Sequence, residues 1–321
     1  MSTVIVTTSP GFATVGKVPS FIEEKGWKLH RCVDTSRPLG GVLDFAADAD
    51  FLVVGLIPAT AELMDKLPKL KAILKHGVGV DNIDIPAATT RKIPVLNAPG
   101  ANSNAVAELA IGGMLSFARR IPMMHRTMVE GGWQRIVGTE IDEKTLGVVG
   151  LGNIGKVLAR KARALGMRVL ASDLYPDTAF AQEHGIELTD MDTLLAEADY
   201  ISLHVFGGKD NAHLIGAQQI AMMKQSACVM NYARGEILDM DALAAAIENG
   251  KIAGAVIDAY TSEPPDRSHP IFKSDRVVFT PHSGADTKES VARVGMMNVT
   301  DIASLLAGEH PSRVLNPEVF A

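Results

Sequence analysis

Along this 321-residue chain, short runs of consecutive apolar residues alternate with amphipathic stretches. Val4–Val6, Leu29–Val33, Phe51–Leu56, Ala72–Leu74 and Val95–Leu96 read as strands, and Phe21–Glu24, Leu43–Ala47, Ala61–Leu67 and Pro86–Arg91 between them as helices. The rhythm resumes later. Leu146–Val149, Val169–Ala171, Tyr200–Val205, Ala227–Tyr232, Ala255–Asp258 and Val277–Thr280 are strand-like, with helical stretches near Leu194–Ala196, Gln219–Met223, Asp241–Glu248 and Lys288–Ala307. Strands separated by helices of this length imply parallel sheets. Apolar residues on consecutive positions, without alternation, imply strands covered on both faces. Between the two halves runs one long helix, Asn102–Arg120, whose small residues allow close approach of another helix, including one from a second subunit. Residues 121–144, with Trp133 and Arg135, read as a loop and extended arm, and Ser312–Leu315 as a final strand-like run. The fold class is therefore α/β, with doubly wound parallel sheets.

One stretch is more specific. Thr145–Asp173 holds an apolar run, the triplet Gly150-x-Gly152-x-x-Gly155, an amphipathic helix carrying Ile154, Val157, Leu158, Ala162 and Leu165, a stop at Gly166, and a second apolar run ending at Asp173. Gly150 permits a tight turn, Gly152 lets backbone approach a pyrophosphate, and Gly155 lets the helix pack closely on the sheet. The helix N-terminus offers amides and a positive dipole end to phosphates. Asp173 stands where a carboxylate accepts ribose hydroxyls, and no Arg or Lys follows it closely to meet a 2′-phosphate. The pattern points to NAD and away from NADP.

Composition narrows the class without adding to it. Apolar residues make up 47% and charged residues 21%, enough for a large core, and the length suits about two domains. A net charge of −6 argues against nucleic acid or an anionic membrane as main partner. Cys32 and Cys228 lie far apart in apolar contexts, which suits buried thiols in a reducing compartment. No apolar run approaches the ~20 residues of a membrane span, and the N-terminus lacks a leader pattern, so a cytoplasmic protein without bound metal is expected.

Three ionisable residues stand just past predicted strands: Arg234 in NYARGEILD, Glu263 in IDAYTSEPP and His282 in FTPHSGADT. Carboxyl ends of strands line the ligand crevice of an open α/β sheet. The set suits hydride transfer at a carbinol carbon. Arg234 holds an α-carboxylate with its forked donors, His282 moves a proton to or from the adjacent oxygen, and Glu263 holds the imidazole by its other nitrogen. In the first half, Gly77 and Gly79 in HGVGVDN sit just past a strand, where amides can face a small anion.

These residues resemble a known family. HGVGVDNIDIPAAT, NAPGANSNAVAEL, GTEIDEKTLGVVGLGNIG, NYARGEILD, IDAYTSEPP and TPHSGADTKES together are similar to the D-isomer-specific 2-hydroxyacid dehydrogenases, in their phosphoglycerate dehydrogenase-like branch. The resemblance implies a flavodoxin-like substrate domain of residues 1–101 plus 291–321 and a Rossmann NAD-binding domain of residues 102–290, with the active site in a cleft. It implies Arg234, Glu263 and His282 as the catalytic trio. Val78, Gly79 and Asn102 are implied on the substrate, together with Arg234 and His282. Expected cofactor contacts are Gly150, Gly152, Asn153, Ile154, Gly155, Asp173, His204, Val205, Ala233, Asp258 and Val106. A homodimer through the Asn102–Arg120 helix and the arm after it is also implied.

Two departures bear on the substrate and cofactor. Relatives that act on 3-phosphoglycerate carry basic residues in the loop after the third strand, whereas Gly55–Thr60 here holds no positive charge. A phosphate dianion needs charged or multiple donors to leave water. Arg135 matches a basic position that reaches a neighbouring subunit's site. The expectation is an unphosphorylated 2-oxo acid such as glyoxylate or hydroxypyruvate. After His204, Val205-Phe206-Gly207 stands where the family often has a Thr-Pro pair, on the adenine side. The chain ends near residue 321, so C-terminal regulatory domains are not expected. A non-catalytic NAD(H) sensor is the competing class. Formate oxidation is disfavoured because Glu263 stands where that branch has glutamine.

Overall fold

The computed structural model describes residues 2–34 and 36–321. The chain divides into two units, Met1–Asn102 with Ala285–Ala321, and Ser103–Gly284. In the first, β1 (Val4–Thr7), α1 (Val18–Glu24), β2 (Lys28–Arg31), β3 (Phe51–Val54), α2 (Ala61–Asp65), β4 (Ala72–Lys75), α3 (Ile85–Thr90) and β5 (Val95–Leu96) follow in order. Their strands form one parallel sheet, β2-β1-β3-β4-β5. The consecutive apolar residues are explained by the two-residue period of a strand. Val4 and Val6 of β1 enter one core with Leu52 and Val54 of β3, while Ile5, Phe51 and Val53 enter another on the opposite face. Thr60 caps α2 through Leu63 N–H and Asp84 caps α3 through Ala87 N–H.

The second unit opens with α4 (Ser103–Ala118) and α5 (Ile121–Val129). Then come β6 (Thr145–Val149), α6 (Asn153–Ala164), β7 (Arg168–Ser172), α7 (Thr178–Glu183), β8 (Glu187–Leu188), α8 (Met191–Glu197), β9 (Tyr200–Leu203), α9 (Ala217–Met222), β10 (Cys228–Asn231), α10 (Met240–Glu248), β11 (Gly254–Ile257) and β12 (Val277–Phe279). The seven strands are parallel in the order β12-β11-β10-β9-β6-β7-β8. The order reverses between β6 and β9, the switch point where such sheets bind ligands. Both faces are again covered: Cys228 and Met230 of β10 enter the core under α4 and α6, and Val229 the opposite one. The chain then returns to the first unit through α11 (Lys288–Leu306), capped by Thr287 and packed on α1. Among the described residues no helix is long and apolar enough to cross a membrane.

Four local expectations change. Residues 121–129, expected as loop, form α5, with Pro122 in its first turn and no buried residue along it. Proline suits that position because the first amides of a helix lack acceptors in any case. The Leu43–Ala47 helix is instead part of a 3-10 segment, Pro38–Phe45, kinked where Leu39, Gly40 and Gly41 take positive φ. Ser312–Leu315 makes only an isolated antiparallel bridge, Val314 with Leu96. The α7–β8 segment is mostly polar on a sheet edge and gave no apolar run to read.

Candidate active site

The glycine turn is built as its spacing requires. Gly150 directly follows β6 at φ +94, a conformation costly for side chains with a Cβ. A Cβ on Gly155 would collide with the Gly150 carbonyl oxygen, so α6 could not sit this close to the strand. Around Gly152 the space is open, and no side chain caps the first amides of α6. Asn153 and Ile154 form its first turn, Asn153 exposed and Ile154 packed on the core. Asp173, just past β7, accepts from Leu151 N–H at 2.6 Å and Tyr175 N–H at 2.8 Å. A carboxylate has about four acceptor sites, so two remain for ribose hydroxyls. Open space, uncapped amides and a half-used carboxylate together fit a dinucleotide.

Across the switch point, His204 follows β9. Its Nε2 lies 2.8 Å from Ser202 Oγ, and its Nδ1 is covered without a partner among the described residues. Burial lowers its pKa to about 3, so the ring is neutral. The His204 carbonyl and Val205 are what a Cβ on Gly150 would meet, at 2.9 and 3.0 Å, which places this loop against the glycine turn.

The ionisable trio lies on the carboxyl ends of the neighbouring strands. His282 Nδ1 is 2.6 Å from Glu263 Oε1. The same carboxylate oxygen accepts from Tyr260 N–H at 3.2 Å. Burial works to raise the Glu263 pKa, but the hydrogen bond and charge of His282, the Tyr260 amide and the Arg234 charge outweigh it. The net shift is downward, and the carboxylate stays ionised. His282 itself sits at φ +53, a left-handed conformation uncommon outside glycine. Arg234 has an extended backbone, and its Nη1 donates to the Ala233 carbonyl at 2.8 Å.

Asn231, which motif reading did not weigh, and Asp258, expected only as a cofactor contact, hold this set in place. Asn231, fully buried at the end of β10, donates from Nδ2 to the Arg234 carbonyl at 2.9 Å and accepts from Ala233 N–H at 3.1 Å. Asp258, 3% exposed past β11, accepts from Thr280 Oγ1 at 2.6 Å, Ser283 N–H at 2.8 Å and Gly284 N–H at 3.0 Å. It thereby clamps both sides of His282, and most of its acceptor capacity is spent on protein. Val106 of α4 packs beside Gly284 at the end of that loop. The available signal was one polar residue closing each apolar run, as in CVMN and AVID.

The first unit offers a different site. Among the described residues the amides of Val78 and Gly79 have no protein acceptor, while the Val78 carbonyl accepts from Asn97 Nδ2 at 2.8 Å. Asn102 has its Oδ1 buried without a partner among the described residues. Beneath this loop Lys75, 8% exposed, donates from Nζ to the Gly55 carbonyl and to Asn82 Oδ1, both at 2.7 Å. The uncharged Gly55–Thr60 loop thus rests on a cation from the adjacent strand.

A Rossmann-type sheet with this turn and this dyad defines a dinucleotide-dependent α/β protein. Residues 111–284 match the family model described as D-isomer specific 2-hydroxyacid dehydrogenase, NAD binding domain. The chain belongs to that family, and its second unit carries the family's NAD-binding domain. It is 46% identical over 250 residues to a D-3-phosphoglycerate dehydrogenase of Archaeoglobus fulgidus, covering 77% of this chain and 47% of that protein. It is 35% identical over 285 residues to a glyoxylate reductase of Korarchaeum cryptofilum, covering 87% of this chain and 86% of that one. The solved D-lactate dehydrogenase of Aquifex aeolicus, complexed with NAD and lactic acid, aligns with a TM-score of 0.81 at 29% identity, over 95% of this chain and 96% of that one. The chain spans about half the length of the phosphoglycerate dehydrogenases that it matches first.

Proposed function

We propose that this chain is an NAD-dependent dehydrogenase interconverting a small D-2-hydroxy acid and its 2-oxo acid. The observation that carries this reading is the His282–Glu263 pair at 2.6 Å, set on the same sheet edge as Arg234 and the glycine turn. A bound NAD would supply the acceptor for the hydride of the carbinol carbon, and its reduced form the donor for the oxo carbon. Glu263 occupies Nδ1 of His282, so Nε2 is the nitrogen left to take the hydroxyl proton during oxidation and to return it during reduction. An ionised Glu263 stabilises the imidazolium formed in between. Arg234 is assigned to the substrate carboxylate and the reacting oxygen. The first unit, read as the substrate domain, offers the Val78 and Gly79 amides and Asn102. Asp258 and Asn231 are read as supports that orient His282 and Arg234.

Within this reading an unphosphorylated acid such as glyoxylate or hydroxypyruvate is favoured over 3-phosphohydroxypyruvate. The Gly55–Thr60 loop has no cation of its own, and Lys75 beneath it is committed to the Gly55 carbonyl and Asn82. The match along 86% of a glyoxylate reductase agrees. A homodimer is supported by α5 and the arm after it, where Val129, Trp133 and Val137 are 73%, 82% and 96% exposed. The buried free thiols of Cys32 and Cys228 suit a reducing compartment such as the cytoplasm.

The test is oxidation of NADH at 340 nm with glyoxylate, hydroxypyruvate, pyruvate and 3-phosphohydroxypyruvate at matched concentrations. Turnover of an unphosphorylated acid is expected to dominate. Equal or better turnover of the phosphorylated acid would refute the substrate reading. Silence with every acid while NADH binds would favour a sensor.

A further inference from the structure

The loops that carry Arg234, Glu263 and His282 all meet Tyr260, a residue with no step of its own in the reaction. Tyr260 follows β11 and is 9% exposed. Its ring stacks on Phe272 of the 3-10 turn Pro270–Lys273, with centroids 6.2 Å apart, and Phe272 lies on Phe279 of β12 at 4.8 Å. That aromatic row fixes the direction of the hydroxyl. Tyr260 Oη is 2.8 Å from the Thr280 carbonyl and 3.2 Å from the Ile257 carbonyl. A phenol has one proton to donate. The Ile257 carbonyl already accepts Thr280 N–H at 3.0 Å, so the nearer Thr280 carbonyl takes the phenol proton. Burial, and after it the Asp258 charge, push the Tyr260 pKa up to about 12, which keeps the phenol a donor.

The Thr280 carbonyl also accepts His282 N–H at 3.1 Å. The hydroxyl therefore grips the turn that holds His282 at φ +53. From its backbone, Tyr260 N–H donates to Glu263 Oε1 at 3.2 Å, the same oxygen that lies 2.6 Å from His282 Nδ1. A Cβ on Gly235, next to Arg234, would collide with the Tyr260 carbonyl carbon and Thr261 N, so the Arg234 loop is seated directly on this backbone. We propose that Tyr260 is a positioning residue: its hydroxyl and amide together set the His282 imidazole against the Glu263 carboxylate, and its backbone seats the Arg234 loop beside them. This rests on the dehydrogenase reading of the site. The amide bond survives any substitution, so the hydroxyl is the part that only tyrosine supplies. Without it the Thr280–His282 turn loses its tie to the Glu263 loop, the dyad loosens, and proton transfer slows.

The experiment compares wild type, Tyr260→Phe, His282→Asn and the double variant, with NADH and whichever of the four acids above wild type reduces fastest. Tyr260→Phe keeps the stacked ring, so the fold should survive with a melting temperature lower by about 2–4 °C. Its kcat should fall about ten-fold, while KM for the acid and Kd for NADH stay within about two-fold. In the His282→Asn background the same change should alter kcat by less than about two-fold, because the residue it positions is gone. A kcat of Tyr260→Phe within two-fold of wild type would overturn the proposal. So would an equal fall in both backgrounds, or a rise in KM with kcat unchanged, either of which would mark a general loosening of the loops. Wild type that reduces none of the acids would overturn the dehydrogenase reading, and the positioning role with it.

Discussion

The two parallel sheets of this chain put opposite kinds of residue at their carboxyl ends. In the second unit the strand ends carry Arg234, Glu263 and His282, with Asn231 and Asp258 spent on orienting them. In the first unit the ionisable residues at the strand ends are absorbed into structure. Lys75 is buried on Gly55 and Asn82. His76 lies 2.8 Å from Ser9 Oγ, and burial lowers its pKa to about 4. Backbone is left open there: among the described residues the amides of Val78 and Gly79 have no acceptor. Under the proposed function, one architecture yields a proton-handling edge in one place and a neutral anion cradle in another. The difference comes from a few side chains at strand ends, not from the fold.

The largest effects should test the proton-handling side. His282→Asn keeps a polar side chain but removes the base, and kcat should fall by about 10²- to 10⁴-fold while NADH affinity holds. A fall below ten-fold would place the proton elsewhere. Arg234→Ala should cost kcat/KM about 3–4 kcal/mol, roughly 10²- to 10³-fold, again with NADH still bound. Retained activity would remove Arg234 from the substrate. Asp173→Ala should narrow the preference for NAD over NADP by about ten-fold or more, since the carboxylate opposing a 2′-phosphate is gone. An unchanged ratio would leave Asp173 only its bonds to Leu151 and Tyr175.

On the neutral side the comparison predicts a stability effect in place of a catalytic one. Lys75→Met leaves the Gly55 carbonyl and Asn82 without their shared donor, at a cost of about 1–3 kcal/mol seen as a lower denaturation midpoint. Its kcat should stay within a few-fold of wild type. A kcat loss matching that of His282→Asn would break the contrast between the two edges, because Lys75 would then be doing chemistry.

How far such a contrast is legible in sequence depends on the kind of signal. Strands covered on both faces announce themselves as VIVT, FLVV or CVMN, because every position is buried. The glycine triplet is legible because backbone approach at Gly155 excludes any Cβ. The pairing of His282 with Glu263 follows from their positions after adjacent strands. What stayed hidden depends on which side chain meets which across the sheet. Nothing in the spacing of Lys75 from Gly55 says that a lysine of β4 reaches the carbonyl of the preceding strand's loop. Likewise the α5 helix was unreadable because its apolar residues are not buried within this chain, so no core-facing stripe marks it. Asp258 is legible as a candidate cofactor contact, while its three hydrogen bonds to Thr280, Ser283 and Gly284 are not, because they join loops after two different strands.

The smallest effect concerns His76, and it sharpens the claim that the first unit's titratable groups are silent. Burial dominates its lowered pKa, with the Lys75 charge adding to the shift and the Val291 backbone opposing it. In the folded chain the ring is therefore neutral down to about pH 4, while in the unfolded chain it protonates near pH 6.5. As pH falls from 6.5 toward 4, the unfolded state binds the proton that the folded state refuses, so stability declines across that window. Between pH 7.5 and 5.5 the loss attributable to this ring is about 1 kcal/mol. In His76→Gln, which retains a polar partner for Ser9, that share of the decline should vanish. The Cε1–H resonance of His76 in wild type should stay fixed from pH 7.5 to about 5. A resonance that titrates near 6.5 would show a proton-exchanging histidine beside the Val78–Gly79 amides, and the first unit's edge would no longer count as neutral.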